Sequence, residues 1–268
     1  MFQITILFLY AAAAAAFAMS RLAAYDGKAS LLTATGFVAG LAALGMHADI
    51  LFAFFAPDRI GGLALATVVS LISLELALTA LLGAINARLR GMAAGLLLLA
   101  AILAIPMHLG INQDTTPPLT WQTQTHVVVS MLAYGLLSVG AIVAVFSLVQ
   151  ERRLRAARVS AYSNLFAPLE TTERLLFGIT TAGFVGLALA VVSGFTFVDN
   201  LFAQGLIHKT AFSIGATLVF GILLAGRLFA GWRGRRAVYL YLGGFALLAL
   251  AYFGSRFVLE ELLNRSWG

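Results

Sequence analysis

No cysteine occurs anywhere in the 268 residues. That absence excludes a thiol–disulfide relay, a thiolate metal site and covalent haem attachment through Cys-x-x-Cys-His, and it leaves histidine as the strongest soft-to-borderline ligand type. Charge is scarce as well. Only 10% of the residues are Asp, Glu, Lys or Arg, against about 25% in soluble domains. With 61% hydrophobic residues, the chain cannot fold as a globule in water. Also missing are a Gly-rich phosphate loop, a nucleophile elbow and a His-Glu-x-x-His helix, so no catalytic residue and no covalent catalysis are expected.

What is present is a series of long apolar runs. Eight can be marked, at about residues 2–19, 30–53, 62–85, 92–110, 126–149, 176–198, 207–229 and 237–258. Each is continuous rather than alternating at every second position, which favours membrane-spanning helices over a barrel. The fold class expected is therefore all-α: a polytopic membrane helix bundle of about eight spans, with residues 1–268 forming a single transmembrane domain. The segment 151–174 reads as an interfacial linker, too short for a domain of its own. The first run carries small residues like those of a signal cleavage site, but no positive charge precedes it while Arg21 and Lys28 follow; this favours a retained helix.

Basic residues set the orientation. The net charge is +6, and the arginines cluster in short loops rather than in a nucleic-acid-binding patch. Loops after odd-numbered runs hold Arg21, Lys28, Arg88, Arg90, Arg152, Arg153, Arg155, Arg158, Arg174, Arg227, Arg233, Arg235 and Arg236. The other side holds Arg59, Lys209, Arg256 and Arg265. Thirteen against four places the odd loops in the cytoplasm and both termini on the outer, periplasmic side.

On that topology all four histidines fall at the outer side. His47 lies near the end of the second run, His108 closes the fourth, His126 opens the fifth behind the polar Trp121-Gln-Thr-Gln-Thr, and His208 opens the seventh. A single interfacial histidine is commonly a hydrogen-bonded anchor, and His108 beside Pro106 reads that way. His47 and His126 have prepared surfaces. Gly36, Gly40, Ala43 and His47 share one helix face by their spacing, as do His126, Ser130, Ala133 and Leu137, with Tyr134 at the edge. Such stripes admit either another helix or a flat apolar macrocycle. Two neutral imidazoles ligate a haem iron axially, whereas zinc lacks a carboxylate or thiolate cluster to complete four ligands; Asp49 is on the wrong face to join His47. Ordinary small-residue packing is the competing explanation. Glu75, in the middle of the third run near Ser73 and Thr79, is a costly intramembrane acid that marks either a local partner or a proton path.

The stretch His126-Val-Val-Val-Ser-Met-Leu-Ala-Tyr134-Gly-Leu-Leu resembles the His-then-Ser/Tyr helix of the cytochrome c assembly family, which includes CcsA and CcmC. Pro168-Leu-Glu-Thr-Thr-Glu-Arg174, Gly183-Phe and Ser193-Gly194 resemble later segments of that family. Gly231-Trp-Arg-Gly-Arg-Arg236, Gly244-Phe245 and Tyr252-Phe-Gly-Ser-Arg256 look like its YpjD-type branch of bacterial inner-membrane proteins. The resemblance covers residues 120–260 well and the first four runs loosely. It implies a multi-pass protein of the inner membrane with an outward-facing, non-covalent haem b, serving haem handling or cytochrome c biogenesis beside apocytochrome c or other envelope assembly proteins. By the resemblance His126 is the outer ligand and His47 the membrane-embedded one. Two family features are absent. The loop between runs six and seven, FVDNLFAQGLIHK, has no Trp, and no histidine follows the final run; His208 is the substitute ligand. Two other readings are a haem-free partner or regulatory subunit of another membrane protein, and a proton-coupled transporter using Glu75.

Overall fold

The computed structural model describes residues 2–54, 65–105, 120–156, 168–197 and 207–251. These residues are helical almost throughout and contain no strand. The helices are α1 (Phe2–Met19), α2 (Ala29–Phe54), α3 (Leu65–Ala84), α4 (Arg90–Leu103), α5 (Trp121–Arg155), α6 (Leu169–Phe197), α7 (Ile207–Ala230) and α8 (Gly234–Ala249). One stands at each of the eight apolar runs. Four segments are long and apolar enough to cross a membrane within the described residues: Ala23–Phe52, Trp121–Arg155, Leu169–Phe197 and His208–Ala230. Ile4–Met19 and Val68–Ala84 are shorter apolar helices. The protein is an all-helical, multi-pass membrane protein.

Helix ends reach beyond the apolar runs where local polar chemistry supports them. The α5 helix begins at Trp121, five residues before His126. There Thr120 Oγ1 accepts from the Thr123 backbone N–H at 3.4 Å, as an N-cap does. At its other end α5 continues to Arg155, whose guanidinium meets Glu151 at 2.8 Å. The next helix, α6, starts directly after Pro168, with Arg174 on Glu170 at 2.8 Å. Both ends of the segment 151–174 are thus helical, and its centre, 157–167, lies outside the described residues.

The chain forms two compact units. Unit 1 comprises Met1–Leu119 with Val149–Leu175, and unit 2 comprises Thr120–Leu148 with Leu176–Gly268. In unit 1, α1 packs on α2 and α4, and α3 packs on α4 and α2. Glycines permit the close approach: a Cβ on Gly36 would meet Phe17 of α1 at 2.9 Å, and one on Gly40 would meet Leu81 of α3 at 2.6 Å. Ser73 Oγ donates to the Ala100 carbonyl of α4 at 2.7 Å.

In unit 2, α5 and α6 run antiparallel along a seam that Ala133–Gly186 and Leu137–Gly183 contacts define. Helix α7 returns along α6, with Gly221 against Phe184 and Arg227 over the Phe177 ring. Helix α8 closes the unit: Tyr241 Oη donates to the Leu137 carbonyl at 2.8 Å, and Phe245 lies 6.1 Å from the Tyr134 ring. The α7–α8 turn depends on Gly231 and Gly234, at φ 63° and 61°, values that only glycine adopts at little cost.

Candidate functional site

In unit 2, His126 lies on the α5–α6 seam, between the Ala133–Gly186 contact and the Trp121–Phe197 ring pair (6.1 Å) that ends it. Its ring is half-buried, and Nδ1 is 2.9 Å from Ser193 Oγ of α6. Ser193 Oγ also sits 2.9 Å from the Ala190 carbonyl oxygen. A carbonyl oxygen only accepts, so the single serine proton is directed to Ala190, and Ser193 Oγ receives from His126. The neutral imidazole then carries its proton on Nδ1 and its lone pair on Nε2. No described side chain hydrogen-bonds Nε2, and the Ala190 backbone carbonyl also lies against the ring. The ring is thus held on α6, as an imidazole is when a second side chain fixes its orientation.

Below His126 the stripe through Ala133 and Leu137 is filled by α6 through Gly186 and Gly183. It is a packing seam, and His126 is the part of it that retains an unused donor atom. His208 is exposed in the first turn of α7. Because α5 and α7 are both antiparallel to α6, His208 stands at the same end of unit 2 as His126 and Ser193.

In unit 1, His47 is 1% exposed, and both ring nitrogens are engaged. Nδ1 is 3.2 Å from Tyr10 Oη of α1, and Nε2 is 2.8 Å from Ser70 Oγ of α3. The Gly36–Gly40–Ala43 face leading to it is occupied by Phe17, Leu81 and Ala13 rather than open to a flat ligand. His47 ties three helices together, and to bind iron it would have to surrender one hydroxyl. Asp49, two residues on, is exposed on another face. Glu75 of α3 is 9% exposed, and its Oε2 has no hydrogen-bond partner. Ser73 turns instead to α4. Among the described residues no three His, Cys, Asp or Glu side chains gather as a metal cluster. His108 lies outside the described residues, as do Tyr252–Arg256 and most of the loop between α6 and α7.

Sequence reasoning singled out the histidines but missed Tyr10, Ser70 and Ser193 as their partners. Each is one of several hydroxyls in a mostly apolar helix, and the available signal was its place opposite a histidine on a neighbouring helix.

Fold and site together define a polytopic helical membrane protein with a serine-oriented imidazole at one end of unit 2. The chain belongs to the cytochrome c assembly protein family, which matches residues 59–263. That range includes His126, His208 and Glu75 but leaves out His47, and it extends through α3 and α4, well beyond the 120–260 resemblance. The inner membrane protein YpjD of Escherichia coli strain K12 is 32% identical over 236 residues, covering 85% of this chain and 87% of that protein. A 28.8 kDa protein of Azospirillum brasilense is 32% identical over 142 residues, 52% of each chain. The cytochrome c biogenesis protein CcsA of Guillardia theta is 26% identical over 159 residues, 53% of each chain. No solved structure matches.

Proposed function

We propose that this chain is a haem-handling protein of cytochrome c biogenesis in the bacterial inner membrane, with eight spans, both termini on the periplasmic side, and its site facing outward. The observation that carries the reading is His126, with Nδ1–H fixed on Ser193 and no described side chain hydrogen-bonded to Nε2. Neutral imidazole nitrogen is the donor that haem iron takes axially, so the residues fit the group. Family membership and the CcsA relative support the same process, and the basic residues of the odd loops support the orientation.

In this reading His126 ligates through Nε2, and Ser193 holds the ring against rotation. His208, at the same end of unit 2, is the candidate second ligand, ahead of His47, whose nitrogens are occupied by Tyr10 and Ser70. With no cysteine to form a thioether, the haem is held non-covalently, as haem b. The iron supplies ligand exchange and electron transfer when bound; the helices supply ligation and a dry wall. Apocytochrome c or another envelope assembly protein would be the partner.

The test is an absorption spectrum of the detergent-purified protein, oxidised and dithionite-reduced, beside three single variants. A Soret band with sharp reduced α and β bands is expected, lost in His126→Ala, altered in His208→Ala and preserved in His47→Ala. A colourless protein after expression with ample haem would overturn the proposal and favour a haem-free partner subunit. That second reading draws on the Trp-free segment 197–209.

A further inference from the structure

Glu75 is the buried acid of unit 1 that the haem reading leaves unused. It stands near the middle of α3, with Leu71, Leu76 and Ala77 buried beside it in the same helix. The side chain is 9% exposed, and Oε2 is buried without a hydrogen-bond partner. The serines one turn or so earlier on α3 are engaged elsewhere. Ser70 Oγ is 2.8 Å from His47 Nε2, and Ser73 Oγ donates to the Ala100 carbonyl at 2.7 Å.

The elements packed on α3 bring no cation to Oε2 either. Helix α2 contributes His47, whose nitrogens lie on Tyr10 of α1 and on Ser70, and Asp49, which is exposed on another face. Helix α4 contributes Arg90, whose Nε donates to the Ala84 carbonyl at 3.2 Å, about 13 Å along α3 from Glu75. Arg88, in the turn Ala87–Leu89, is exposed. An ionised carboxylate so placed would hold an uncompensated charge in apolar surroundings, a cost that such a group avoids by taking up a cation. Calcium or magnesium needs several oxygen ligands, and among the described residues no three His, Cys, Asp or Glu side chains gather. A proton needs one carboxyl oxygen and no other ligand. We propose that Glu75 is a proton-binding site in the apolar interior of unit 1, a carboxyl that holds an exchangeable proton at neutral pH. Of the two readings the sequence left open for this acid, a local partner and a proton path, the orphaned Oε2 favours the second.

The experiment is infrared spectroscopy of the full chain in lipid vesicles at neutral pH, in water and in deuterium oxide. Exposed carboxyls such as Glu170 are ionised there and absorb in the carboxylate region. Wild type minus Glu75→Gln is expected to show a single carboxylic-acid C=O band that moves to lower frequency in deuterium oxide. Glu75→Leu, close in volume and free of an amide, should give the same difference. Loss of a carboxylate band in place of the acid band overturns the proposal, as does an acid band that deuterium oxide fails to shift. The wild-type spectrum also decides by itself, because the absence of any exchangeable acid band at neutral pH overturns the proposal whether or not the variants fold.

Discussion

Ser193 has one proton, and the Ala190 carbonyl takes it; that small allocation sets which nitrogen of His126 is free. The consequence is measurable. Ser193→Ala should weaken haem binding by about 10- to 100-fold, the usual effect of removing a group that orients a ligating histidine. Ser193→Thr, which keeps the hydroxyl, should restore most of it. Titration of haem into the haem-free protein checks both, and an unchanged affinity in Ser193→Ala would refute the tautomer argument. At this scale the sequence showed which residues are unusual but not what they touch. His126 and Ser193 are 67 positions apart, and His47 and Tyr10 are 37 apart. Their pairing depends on the axial register of neighbouring helices, which an apolar run does not encode. Hence His47 looked equivalent to His126 in the sequence and differs from it in the structure, where Tyr10 and Ser70 occupy both of its nitrogens.

At the scale of helices, hydropathy located each α-helix of the described residues but not its ends. A run stops where lipid-compatible side chains stop, whereas a helix continues as long as its backbone is capped and its polar side chains find partners. Thr120 and the Arg155–Glu151 pair extend α5 by a turn or more at each end in this way. The glycine stripes were equally legible and equally ambiguous, because a small face suits a ligand and a neighbouring helix alike; Phe17, Leu81 and Ala133 show that helices took the places. Gly140 offers a direct test of such packing. A Cβ there would run into the Tyr241 hydroxyl, the group that donates to the Leu137 carbonyl between α8 and α5. Gly140→Ala should therefore destabilise the protein by about 1–3 kcal/mol, read as a lower unfolding midpoint in a detergent thermal-shift assay. Gly95→Ala, where nothing lies within 4 Å of the new methyl, should not.

For the whole molecule, the distribution of arginine is the organising quantity. Thirteen of seventeen basic residues fall in the odd loops, so an alkaline phosphatase fusion after Arg236 should stay inactive in the cytoplasm and one after Gly268 should be active outside. The reverse pattern would invert the proposed sidedness of His126 and end the case for an outward haem site. The same distribution leaves the described part of unit 2 free of acidic side chains, which bears on how it meets protons. Acid usually unfolds proteins by protonating carboxylates that the native state holds ionised, a loss that deepens as pH falls through their folded-state values. The described residues of unit 2 hold no such group, so that route to acid unfolding has no foothold there. At His126 the incoming proton would claim the Nε2 lone pair, setting protons and iron in competition for a single pair of electrons.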